Sequence, residues 1–125
     1  MKNFYLFAFL FILGCVSKLG QSDSRTTIGN PASQNCIDKG GRLTIEENAA
    51  NDEYGVCHFS ENRQCEEWTM FRGTCPIGGI TVTGYSTDAA RYCVIRGGRH
   101  QNRRTCFLPD GRVCNAQKLY SGECQ

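Results

Sequence analysis

Apolar residues are spread along this chain in one long run and many short groups. Residues 4–13 are all apolar, with Lys2 before the run and Gly14 after it. A basic start, an apolar stretch of about ten residues and a small residue at its end are the layout of a secretory signal. The run is too short for a bilayer span, which needs about 20 residues. Residues 16–29 are small and polar without periodicity and predict a flexible tether.

Beyond that point the apolar groups are short, broken by turn residues, and recurrent. Asn30-Pro31-Ala32-Ser33 sets a strong N-cap before a proline, predicting a short helix that runs to Lys39 and stops at Gly40. Thr87-Asp88-Ala89-Ala90 opens a second such helix, which stops at Gly97. Residues 54–59 and Gln64-Cys65 flank the turn Ser60-Glu61-Asn62-Arg63, and residues 104–108 and 112–114 flank Pro109-Asp110-Gly111. Both read as β-hairpins. Residues 66–73 and 115–122 each end in glycine and predict a short helix, with a strand as the alternative.

Cysteine spacing makes the recurrence quantitative. Cys57, Cys65 and Cys75 are separated by seven and nine residues, and so are Cys106, Cys114 and Cys124. Cys36 is followed after three residues by Gly40-Gly41-Arg42, and Cys93 likewise by Gly97-Gly98-Arg99. Two gaps and a tripeptide used twice point to an internal duplication. The predicted architecture is a small, disulfide-rich α+β protein of two tandem repeats, each a short helix, a β-hairpin and a short C-terminal helix. Its divisions are a signal peptide at 1–14, a tether at 15–29, repeats at 30–76 and 87–125, and a linker at 77–86 with a short strand.

The ninth cysteine, Cys15, closes Ile12-Leu13-Gly14-Cys15, which resembles the lipobox of bacterial lipoproteins. That resemblance implies acylation of Cys15 and an N-terminal lipid anchor. Eight cysteines remain, an even number in a chain bound for export, and these predict disulfides rather than a metal site: no Cys-x2-Cys pair occurs. Four cysteines per repeat allow three pairings. The expected one joins helix to hairpin (Cys36–Cys57, Cys93–Cys106) and hairpin to final segment (Cys65–Cys75, Cys114–Cys124). The alternative joins the hairpin strands to each other and the ends together.

Charge separates the repeats. Residues 30–78 carry eight acids and four bases, whereas residues 87–125 carry three acids and seven bases. The acidic excess gathers in residues 44–53, where repeat one has the extra length, and the basic counterpart is residues 99–104. Such a dipole predicts either docking of one repeat on the other or attraction of the basic repeat to an anionic envelope surface. Arg99, Arg103 and Arg104 are the corresponding binding candidates. Nucleic acid is not an expected partner of an exported chain.

Asn30-Pro31-Ala32-Ser33-x2-Cys36-x3-Gly40-Gly41, with Tyr54-Gly55-Val56-Cys57-x-Phe59 and Cys65-Glu66-Glu67-Trp68, resembles the bacterial domain of unknown function 333 over residues 30–76. Residues 87–124 resemble a second, diverged copy that lacks the Asn-Pro-Ala-Ser opening and has Gln117 where the first has Trp68. The resemblance implies an exported protein, often a lipoprotein of the cell envelope, in a family whose members frequently carry a hemolysin label.

No catalytic arrangement, cofactor or metal set is expected. Every cysteine after Cys15 has a partner, so no free thiolate is left as a nucleophile. His58 alternates with Cys57 and Phe59 and is expected on a solvent face. Glu66 and Glu67 are expected to serve a helix N-terminus rather than to act as paired acids. Trp68 and Phe71, three apart, share a helix face; core packing is the default for them, and Trp68 is the aromatic binding candidate. The expected function is a non-enzymatic, envelope-anchored binding module, in one form an inhibitor of a protease or lysozyme-like enzyme. Membrane lysis is the alternative.

Overall fold

The computed structural model describes residues 30–124. The signal peptide, Cys15 and the tether lie outside the described residues.

Asn30 caps the first helix, α1 (Pro31–Asp38), its side chain accepting from the Ser33 N–H at 3.0 Å. Gly40 follows with φ +86°, the left-handed conformation that ends a helix cheaply only at glycine. Strands β1 (Arg42–Glu47), β2 (Glu53–Phe59), β3 (Arg63–Glu66) and β4 (Ile80–Thr81) form one antiparallel sheet in that order, with α2 (Glu67–Phe71) between β3 and β4. The second half repeats this layout without the fourth strand. Its elements are α3 (Asp88–Ile95), capped by Thr87, then β5 (Arg99–Gln101), β6 (Thr105–Phe107), β7 (Val113–Asn115) and α4 (Ala116–Tyr120).

Each hairpin expected from the sequence is thus two strands of a longer sheet. The additional strands, β1 and β5, are drawn from the acidic and basic stretches, whose charges mask any alternation of apolar residues. β1 is joined to β2 by a turn organised around Asn48, whose side-chain oxygen accepts from the N–H groups of Ala50 and Asp52 at 2.9 Å each. Arg63 N–H donates to Ser60 and Arg104 N–H to Gln101, and the paired residues inside each turn (Glu61-Asn62, Asn102-Arg103) all have positive φ. That backbone matches the twist of a tight hairpin.

Disulfides join Cys36 to Cys57, Cys65 to Cys75, Cys93 to Cys106 and Cys114 to Cys124, with Cα separations of 5.7–6.1 Å. These are the helix-to-hairpin and hairpin-to-final-segment pairs, and none crosses between halves. The twin Gly-Gly motif now has a mechanical reading. The first glycine stops the helix. The second, Gly41 or Gly98, lies against the bridge that follows: a Cβ on Gly98 would sit 2.7 Å from Cys106 Sγ, and one on Gly41 would sit 2.9 Å from Cys36 Sγ. Any side chain there would displace the disulfide.

Each half packs around its own bridges, with Met70, Leu43 and Phe59 in the first and Tyr92, Leu108 and Leu119 in the second. A third apolar cluster, Val56, Val82, Val94 and Ile95, joins them, and Ile95 is fully buried. Tyr54 stacks edge-on against Tyr92, which stacks on Tyr120. Across the same junction Arg91 donates to Glu46 at 2.5 Å and to Gln64 at 2.9 Å. The halves therefore dock, but the acidic stretch meets Arg91 of α3 and not the basic run 99–104. Among the described residues no helix is long and apolar enough to cross a membrane.

Candidate functional site

The residues that carry the family resemblance converge in space. Glu66 ends β3 and caps α2, its carboxylate accepting from the N–H groups of Trp68 and Thr69 and from the Thr69 hydroxyl. Glu67 points the other way, into the gap between α1 and β2. It is 4% exposed, and its carboxylate accepts from the Ser33 hydroxyl and from the Asn30 amide at 3.2 Å. Gly55 makes room for it: a Cβ there would lie 2.6 Å from Glu67 Oε1. Ser33, Gly55 and Glu67 are buried together, with the half-buried Asn30 completing the unit. The expectation that both acids serve the helix end holds for Glu66, whereas Glu67 is a tertiary contact that adjacency along the chain could not disclose.

Aligning the halves on their cysteines puts Thr87, Ala90, Arg104 and Ala116 at those four positions. The carboxylate, its serine donor and the glycine that accommodates it are all replaced together. A cleft of about 300 Å³ beside this unit is lined by Glu53, Glu66 and Glu67, with Tyr54 and Trp68, by Arg72, and by Arg96 of the second half. In the second half the corresponding place is a cavity of about 290 Å³ lined by Thr87, His100, Arg103, Arg104, Ala116 and Gln117, among others. An adjoining cavity of about 420 Å³ shares Thr87, His100 and Arg103 and adds Tyr85, whose ring stands edge-on to His100. Neither cavity has an acidic residue in its lining.

Of the basic candidates, the structure brings Arg103 and Arg104 together at this cavity. Arg99 is elsewhere, with its guanidinium 5.2 Å over the Phe107 ring. Trp68 is also separate, and it is not core. Trp68 is 37% exposed and Phe71 48% exposed, and they meet edge-to-face on the surface of α2. A five-residue helix is too short to bury two faces, so its inner face goes to Met70 and Thr69. The sequence reading missed His100, Thr87 and Gln117 as cavity residues; the concerted replacement between repeats was the signal that could have found them.

A further cleft, of about 300 Å³, lies between the halves and gathers Arg72, Arg96 and Arg112 around Leu108. Two of these cations are engaged locally: Arg112 pairs with Asp110 at 2.7 Å, and Arg96 lies over the Tyr92 ring and donates to its hydroxyl.

Electrostatics elsewhere follow burial. Tyr54 is pushed up to about 12, by burial first and by the Glu46 charge second. His58 is half-buried on β2, not solvent-facing, with its ring 2.7 Å from the Thr44 hydroxyl. Burial, then Arg42 and Arg91, hold it below its ordinary value against the opposing pull of Glu46. Burial pulls Arg91 down, but the hydrogen bond and charge of Glu46 raise it on balance. No cluster of three or more metal-ligating side chains occurs among the described residues.

No curated protein and no solved structure matches the chain. Residues 27–74, which contain Asn30, Ser33, Gly55 and Glu67, match the family model described as Domain of unknown function (DUF333). Over those residues the chain is similar to the DUF333 family.

Proposed function

We propose that this protein is an exported, non-enzymatic binding module of the bacterial cell envelope, anchored through Cys15 and presenting a disulfide-held scaffold to a partner there. Residues 87–124 are read as a second, diverged copy of the first-half domain. The carrying observation is covalent: each small sheet is stapled to its helix and to its final segment, so the turns are ordered before any partner arrives, which lowers the entropy cost of binding. The non-enzymatic reading is supported by the state of Ser33 and Glu67, a buried hydroxyl–carboxylate pair of a kind that can serve catalysis. Ser33 and Glu67 are both buried, and each is engaged with the other. The narrower form of the proposal is inhibition of a protease or lysozyme-like enzyme by a hairpin turn.

Crosslinking in the native envelope, with mass spectrometry of the captured partner and of the mature N-terminus, tests this reading. A specific partner and an acylated Cys15 are expected. Absence of any reproducible crosslink, or recovery of the chain from the cytoplasm with free thiols, would overturn it.

A further inference from the structure

We infer that the basic cavity of the second half is a binding site for an acidic side chain of a partner peptide. This rests on the binding-module reading and names the chemistry of its contact. The site is an open surface groove, with Thr87, Arg103, Arg104, Asn115 and Gln117 exposed along it. Its walls are the start of α3, the start of α4 and the β5–β6 turn, and the two adjoining cavities hold His100 and Arg103 in common. Three groups that can donate to an anion, on Arg103, Arg104 and His100, face one volume without an acid in the lining. Thr87, Gln117 and Asn115 supply neutral polar groups of the kind that position a peptide.

Two further observations favour a carboxylate on a peptide. The corresponding place in the first half shows what the scaffold holds there: a carboxylate, Glu67, supplied internally and met by Ser33 and Asn30. The second half has lost that internal acid and has gained cations at the same location. Docking of the halves, moreover, engages Arg91 with Glu46, and among the described residues neither Arg103 nor Arg104 forms an ion pair. The turn itself is held at a cost. Arg103 has φ +61°, where glycine would be unstrained and an arginine loses about 1 kcal/mol.

The test uses the full-length oxidised protein in detergent micelles, titrated with the blocked tripeptide acetyl-Ala-Glu-Ala-amide, its glutamine counterpart and inorganic phosphate, and followed by the amide resonances of His100 and Ala116. The glutamate peptide is expected to shift both resonances saturably, and the glutamine peptide to leave them in place. Arg103→Gly and Arg104→Gln are each expected to weaken binding tenfold or more, with Arg103→Gly as stable as the parent or more so. Arg99→Gln, outside the cavity, is expected to change affinity less than twofold. Equal weakening by Arg99→Gln would replace the site with general electrostatics, and binding of phosphate alone would overturn the peptide assignment. Peptide binding without any envelope crosslink would fault the envelope reading alone, whereas crosslinks without peptide binding would fault this site alone.

Discussion

Glu67 has a carboxylate that an apolar environment would penalise by several kcal/mol were it unpaired, yet Ser33 and Asn30 both donate to it. Removing the acid strands two donors. Glu67→Ala should therefore cost about 3 kcal/mol of unfolding free energy. Ser33→Ala together with Glu67→Ala should cost less than the sum of the two single changes, by about 1 kcal/mol or more. The second half already lives with alanine at both places, Ala90 and Ala116, and both are buried there. Urea unfolding of the four proteins in the cycle measures the coupling, and strict additivity would dissolve the unit. At this scale the sequence was a poor guide. Ser33 and Glu67 are 34 residues apart, and no periodicity connects them; only the folded β2–β3 pair brings α2 against α1.

Helix ends were the most legible elements, because caps are local chemistry. Asn30, Thr87, Gly40 and Gly97 stand where cap preferences put them, and α1 and α3 follow. Strands depended on partners. Leu43 of β1 faces Cys57 and His100 of β5 faces Cys106, pairings that the charged flanks conceal. The bridges bind these elements with unequal leverage. Cys36–Cys57 spans 21 residues and Cys65–Cys75 spans 10. Loop-closure entropy rises by about 0.6 kcal/mol per doubling, and removal of a native bridge costs about 2–5 kcal/mol. Replacing both cysteines of the longer bridge with alanine should lower stability by about 0.6 kcal/mol more than replacing both of the shorter. Thermal unfolding of the two variants checks this, and the reverse order would assign the effect to native packing instead of chain entropy.

The whole molecule is more than two stapled units placed side by side. Val56 and Val82 bury against Val94 and Ile95, and the tyrosine stack runs through the same junction. One consequence is a pH dependence set mainly within the first half, to which Arg91 of the second adds. His58 of β2 is held below 6.5 by burial, by Arg42 and by Arg91 of the other half, with Glu46 opposing. Over the window between that lowered value and 6.5 the unfolded chain binds a proton that the folded chain does not, so stability falls as pH drops through about 6.5. His58→Gln should flatten that slope. Denaturation midpoints between about pH 7.5 and pH 5 decide it, and an unchanged slope would place the titration elsewhere.

Cysteine intervals and glycine stops, read from the chain alone, settled the α+β class, the doubled layout and the set of bridged residues, because these depend on short-range backbone preference and on counting. Tertiary structure decided the rest: which arginine answers the acidic strand, which glutamate is buried, and which basic residues share a cavity. Those outcomes turn on how α1 meets α2 and how α3 lies across the first sheet. Contacts between residues tens of positions apart leave no trace in local pattern, since the same side chain is favourable on either face until a neighbour arrives to cover it.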